Sequence, residues 1–326
     1  MKLSRSKFRF AVLGLLFVIG VPLAANAADK VNFVTDYGFN GRHAYYFVAL
    51  DRGYYKDAGL DVSILRGKGS VDAIHQVGAG NAILGFADAG SLILARANDN
   101  IPVKLVSVVY ARPPQAIFCR EDMGVKSVKD LEGKSVANPA GGSIPDLFPA
   151  FAKASGIDAS KVRWVVASGR SLPGLLASGK VPCIGQFTVG APLLKSHVTQ
   201  KMVRLAYSDP GLSYYGNGII ATDDTIKNKA DLVRRFVAAT IKGEEYAFAH
   251  PKEAGEIMHK YHPQVAVDIA QGETEAVAEL AEVKGQPLNV IDPKRIQATL
   301  DVVKGAFKLK SPVAADDVYA AGFVAH

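Results

Sequence analysis

The chain has 326 residues, 49% of them hydrophobic, with 38 basic and 31 acidic side chains and a formal charge of +7. That length and apolar content are enough for two buried cores, because single cores stop growing near 250–300 residues. No Lys/Arg run or aromatic-interleaved basic stripe accompanies the basic excess, so nucleic-acid binding has no support.

The first residues explain much of the charge. Met1 to Arg9 carries Lys2, Arg5, Lys7 and Arg9 without an acid, Phe10 to Leu23 is apolar, and Ala25-Asn26-Ala27 supplies small residues. This is the layout of a secretory signal peptide over residues 1–27, cleaved after Ala27. The apolar run is shorter than the roughly 20 residues of a spanning helix. Losing the leader removes four of the 38 bases and none of the 31 acids, which takes +7 down to +3. A soluble periplasmic protein is expected, and no Cys follows the apolar run to carry a lipid anchor.

The mature chain then alternates. Val31 to Val34 reads as a strand, His43 to Asp57 as helix, and Asp61 to Leu65 as strand. A helix from Ser70, a strand at Ile83 to Ala87, a helix at Ser91 to Ala97 and a strand at Val103 to Tyr110 follow. Arg112-Pro113-Pro114 punctuates the chain. A second series takes strands at Ala116 to Arg120, Ser135 to Asn138, Arg163 to Ala167, Cys183 to Phe187 and Met202 to Tyr207, with helices at Ile144 to Ser155 and Ser171 to Ser178. It closes at Asp209-Pro210-Gly211. From Thr225 the pattern is helical: Lys229 to Ala249, Pro251 to Tyr261, Val265 to Lys284 and Asp292 to Lys308.

Alternation of this kind predicts an α/β fold of two lobes, each with a mainly parallel sheet. The expected division is residues 28–112 plus 213–326 for lobe 1 and 113–212 for lobe 2, with crossings near 111–114 and 208–216. Cys119 and Cys183 lie in apolar strands and admit either one disulfide or two buried thiols; their spacing fits no metal or redox motif. Arg234-Arg235 and Glu244-Glu245 read as exposed helix faces, His259 and His262 as a solvated helix end, and Trp164 as core.

Ligands of open α/β sheets bind beyond the carboxyl ends of strands, which here means the cleft between lobes. Three strand-to-helix junctions carry Gly and Ser: Gly69-Ser70, Gly90-Ser91 and Gly142-Ser143, the last following Asn138 at its strand end. Gly admits close backbone approach and a helix N-terminus offers free N–H groups, although ordinary capping uses the same residues. After the first strand, Asp36, Tyr37, Phe39 and His43 gather aromatics that can sandwich a flat ligand with groups that can fix its polar edge. Gln186 ends a strand of the second lobe, and Tyr214 lies beside the second crossing. These thirteen residues form the expected binding set. No GxSxG, HExxH, CxxC, P-loop or GxGxxG stands in its required context, so no catalytic residue, metal or cofactor is assigned.

The segment His43 to Val62 (HAYYFVALDRGYYKDAGLDV), Gly85 to Leu92 (GFADAGSL) and Lys126 to Lys134 (KSVKDLEGK), with the loop Gly141-Gly142-Ser143, resembles the periplasmic solute-binding proteins of ABC importers. The likeness is to the nitrate/sulfonate/taurine and thiamine-pyrimidine-precursor group. It implies the type II solute-binding fold with two hinge crossings, a non-catalytic monomer, and delivery of ligand to inner-membrane ABC permease subunits. It also implies a small, flat or heterocyclic solute of the pyrimidine-precursor kind. Binders of a sulfonate, taurine, nitrate or aromatic carboxylate, and pyrimidine-synthase-like enzymes of the same fold, are the alternatives.

Overall fold

The computed structural model describes residues 27–283 and 285–324, so the expected leader lies outside the described residues apart from Ala27. The chain opens with β1 (Asp29–Val34), whose Val31, Phe33 and Val34 are buried. The expected single helix after it is broken. A 3₁₀ turn at Gly41–His43 leads into α1 (Ala44–Asp51), and Gly53, in the left-handed region at φ 77°, separates it from α2 (Tyr54–Asp57). Then come β2 (Leu60–Leu65), α3 (Ser70–Gly78), β3 (Leu84–Asp88), α4 (Ala89–Asp99) and β4 (Val103–Val108). The carboxylate of Asp88 starts α4 by accepting the Ser91 N–H at 2.9 Å, one of the donors every helix start leaves free.

The second series is β5 (Gln115–Arg120), β6 (Ser135–Asn138), α5 (Ser143–Ser155), β7 (Arg163–Val166), α6 (Leu172–Ala177), β8 (Cys183–Phe187), α7 (Ala191–His197) and β9 (Met202–Ala206). The chain then returns with β10 (Asn217–Thr222) and ends in α8 (Asp223–Asn228), α9 (Ala230–Ala249), α10 (Pro251–Tyr261), α11 (Val267–Ala281), α12 (Pro293–Ala306) and α13 (Ala315–Val318).

Two five-stranded sheets result, in the orders β2-β1-β3-β10-β4 and β7-β6-β8-β5-β9. Each is parallel but for one strand: β10 runs against β3 and β4, and β5 against β8 and β9. In both sheets the reversed strand is the one entered from the other lobe. The crossings lie between Val108 and Gln115 and between Ala206 and Asn217. They are bonded to one another, with the Val109 and Tyr110 N–H groups donating to Asn217 O at 2.9 and 2.8 Å and Gly216 N–H to Tyr110 O at 2.9 Å.

Side chains alternate between the faces of β5, as strand geometry requires. Ala116 and Phe118 join a cluster with Leu172, Leu176 and Leu194, while Ile117 and Cys119 face Val136, Phe148 and Phe151. Cys119 stands directly opposite Cys183 across β5 and β8, and the two form a disulfide. In α9, Leu232, Val233, Phe236, Val237, Thr240 and Glu244 recur at helical spacing and are buried, which lays that helix against α1. Glu244 is thus not on an exposed face: it is 1% exposed and accepts from Asn289 Nδ2 at 2.6 Å. No helix among the described residues is long and apolar enough to cross a membrane.

Candidate ligand-binding cleft

Residues from both series converge on a cavity of about 370 Å³, counting its open mouth. The first lobe contributes Asp36, Tyr37, Arg42, Gly69 and Ser70; the second contributes Asn138, Pro139, Gly142, Ser143, Ile144, Leu172, Gly185 and Phe187. Two helix N-termini, those of α3 and α5, face each other here. The Val71 N–H at the start of α3 donates across the cleft to Gly141 O at 3.2 Å. This approach needs the absence of a side chain: a Cβ on Gly69 would stand 1.9 Å from that carbonyl oxygen. The lobes are in contact, and the cavity lies between them with one side open.

At its floor lies a buried polar cluster. Asp36, 1% exposed, accepts from Arg42 Nη2 at 3.3 Å, from His43 Nε2 at 2.7 Å and from Asn217 Nδ2 at 3.0 Å. Burial alone would raise its pKa, but the charge of Arg42 and the bond from His43 outweigh that and hold the carboxyl below its ordinary value. The Arg42 guanidinium lies 5.0 Å from the ring centre of Phe187 and 5.8 Å from that of Tyr37, within cation–π range of an aromatic from each lobe. Its backbone N–H donates to the buried Glu273, 3.2 Å away on α11, and burial pushes that carboxyl up to about 7.

Seven of the thirteen expected binding residues line this cavity: Asp36, Tyr37, Gly69, Ser70, Asn138, Gly142 and Ser143. Ser143 Oγ accepts from Gln115 Nε2 at 3.2 Å, which leaves its O–H to donate. Asn138 gives its Nδ2 to Pro139 O at 2.8 Å, and its Oδ1 has no partner. The remaining six stand elsewhere. His43 does not face the cavity: it is fully buried, takes the Asn40 N–H on Nδ1 at 3.4 Å and gives Nε2–H to Asp36. Burial holds it below its ordinary pKa, so it is a neutral orienter of Asp36. Gln186 points away because alternate strand residues face opposite ways; Gly185 and Phe187 take the cavity side, while its own Oε1 binds the Phe187 N–H.

Phe39 stacks on His262 at 4.2 Å, on an outer wall rather than in the cavity. Gly90 packs on Leu147, and the backbone N–H of Ser91 caps α4 through Asp88. Tyr214 is buried and donates to Gln115 Oε1 at 3.1 Å, one bond removed from Ser143. Arg42 and Phe187 are the principal cavity residues outside the expected set. Both were adjacent to chosen positions, and strand alternation from Gly185 is the signal that points to Phe187.

Paired crossings, one reversed strand per sheet and a cavity walled by both lobes define a two-lobed solute-binding fold of the periplasmic type. The alkanesulfonate-binding protein SsuA from Xanthomonas axonopodis pv. citri has this fold, with a TM-score of 0.71 at 13% identity over 91% of this chain and 100% of that one. The chain belongs to the NMT1/THI5-like family, whose model matches residues 40–254. Among its relatives, a riboflavin-binding protein of Chloroflexus aurantiacus is 27% identical over 74% of this chain and 69% of its own length. A formylaminopyrimidine-binding protein of Halalkalibacterium halodurans is 23% identical over 90% of both. A 4-amino-5-hydroxymethyl-2-methylpyrimidine phosphate synthase of Candida albicans is 24% identical over 74% of both.

Proposed function

We propose that this chain is the periplasmic, non-catalytic solute-binding component of an ABC importer, and that it closes on an uncharged, flat heteroaromatic ring. The observation that carries the choice of ligand is the charge balance of the cavity. Among the described residues that line it there is one cation, Arg42, and one anion, Asp36, and they are paired. A small anion such as nitrate or a sulfonate would need cationic charge not already matched, because a buried charge is costly without a partner.

A neutral ring suits the walls. Tyr37 and Phe187 supply aromatic faces, Leu172, Ile144 and Pro139 apolar surface, and Ser143, Asn138 and the helix N-termini a few polar points. The arrangement of the acid–base groups supports binding without chemistry, since the Asp36 carboxylate is held by Arg42, His43 and Asn217. Mass spectrometry of ligand extracted from the purified mature protein tests the reading. A heteroaromatic with an uncharged ring, released unchanged, is expected, and recovery of an alkanesulfonate or nitrate, or of more than one equivalent of a converted product, would refute it.

A further inference from the structure

Outside the cavity the charge is no longer balanced. A second space, about 1020 Å³ with the open solvent at its mouth counted in, adjoins the first and shares Tyr37 and Pro139 as walls. It is lined by Arg66 and Lys68 from the first lobe and Arg170 from the second, and by no acidic residue. All three basic side chains are exposed, and none forms an ion pair among the described residues. The nearby Asp72 is occupied by the Lys68 backbone N–H at 2.9 Å and Gln76 Nε2 at 2.8 Å. Arg66 and Arg170 also line a further space beside Tyr37, into which Glu273 faces as well.

We propose that this vestibule is a second subsite that takes a single anionic group, phosphate or carboxylate, carried on a substituent of the ring held inside. The inference rests on the neutral-ring reading of the inner cavity and extends it: the solute is bipartite, uncharged within and anionic at the mouth. Three unpaired cations drawn from both lobes repel one another when the cleft shuts, and an anion between Arg66 and Arg170 removes that repulsion. The same group left in bulk water gains nothing from closure. The subsite therefore rewards the closed state, so it acts on residence time as well as on encounter.

Three probes with one ring separate the terms: 4-amino-5-hydroxymethyl-2-methylpyrimidine, its phosphate monoester and its hemisuccinate. Affinity and rates are measured by calorimetry and surface plasmon resonance on the mature protein and on an Arg66→Gln/Lys68→Gln/Arg170→Gln variant. At 50 mM salt the esters bind the wild type about tenfold or more tightly than the alcohol, from three pairs of modest strength, with a slower koff. The larger gain identifies the anion. In the variant the esters fall to the affinity of the alcohol, which itself changes by less than about twofold. Esters that bind no better than the alcohol, or that keep their gain in the variant, overturn the subsite. A gain confined to kon, with koff unchanged, also overturns it and leaves only electrostatic steering. If no probe binds while an alkanesulfonate does, the neutral-ring reading falls together with the subsite; an alcohol that binds without any ester gain removes the subsite alone.

Discussion

Gly169 lines the vestibule and not the inner cavity, yet its replacement by alanine should weaken binding of the ring inside while leaving the ligand-free protein intact. A Cβ at this position would stand 0.7 Å from the Tyr37 hydroxyl oxygen and 2.0 Å from its Cζ. The two groups must separate by about 3 Å to reach an unstrained contact. Either the Tyr37 ring swings off the cavity wall or the lobes stay ajar, and both outcomes remove the ring from the ligand. The loss is the aromatic contact with its share of burial, about 1–2 kcal/mol, or roughly five- to thirtyfold in Kd. Folding should be spared, because Gly169 lies in a largely exposed 3₁₀ turn without a left-handed φ. Calorimetry with the extracted ligand gives the affinity, and thermal melts of ligand-free protein should agree with wild type within about 2 °C. A double-mutant cycle separates mechanism from accident: in a Tyr37→Ala background, Gly169→Ala should cost nothing further. Wild-type affinity in Gly169→Ala, or losses that simply add, would refute this account of closure.

Thermal stability should fall as pH rises from 4.5 to about 8, unopposed by His43 above pH 6.5. Burial pushes Glu244 up to about 8 and Glu273 up to about 7. A buried acid with a raised pKa holds its proton more tightly folded than unfolded, so its stabilisation is complete below the unfolded value and lost as pH rises to the folded one. His43, held below 6.5, acts in the opposite sense only at lower pH. Glu244→Gln should flatten the profile by several degrees at pH 8.5; an unchanged slope in melts of that variant would contradict the assignment. His43→Ala, which leaves Asp36 short of a buried bond, should cost about 2 kcal/mol in urea unfolding, and no loss would show that Asp36 does not depend on it. Replacing both Cys119 and Cys183 by Ser should lower stability by about 2–4 kcal/mol, and reduction of the wild type should reproduce the change. N-terminal sequencing of periplasmic material should begin at Ala28, and a start at Met1 would contradict export with cleavage.

The alternating series carried most of the architecture, because the period of apolar residues changes wherever strand gives way to helix. It did not disclose β10. Asn217–Thr222 is a short apolar run behind Tyr214-Tyr215-Gly216, and its strand character depends on the slot waiting between β3 and β4. Nor did it disclose α7, whose Pro192 is well placed in a first helical turn. In the site, position along the chain was readable and direction was not. His43 and Asp36 are both at the first strand end, but only packing decides that the imidazole lies behind the carboxylate. Gln186 shows the same limit, since one residue of strand register separates facing the ligand from facing the other side of the sheet. Glu244 looked solvated because its Asn289 partner is 45 residues away.

The reversed strands also bear on how the molecule comes to exist. Residues 115–206 contain every strand of the second sheet, so that lobe is a continuous stretch of chain able to assemble as a unit. The first sheet has no such autonomy. Without β10 its β3 and β4 have no neighbour in common, and β4 is left unpaired beside a three-stranded fragment. The lobe that is made first must therefore wait, its edges exposed, until the chain has passed through the second lobe and come back. Folding in the order of synthesis is barred to this topology, and the half of the molecule made first is the half completed last.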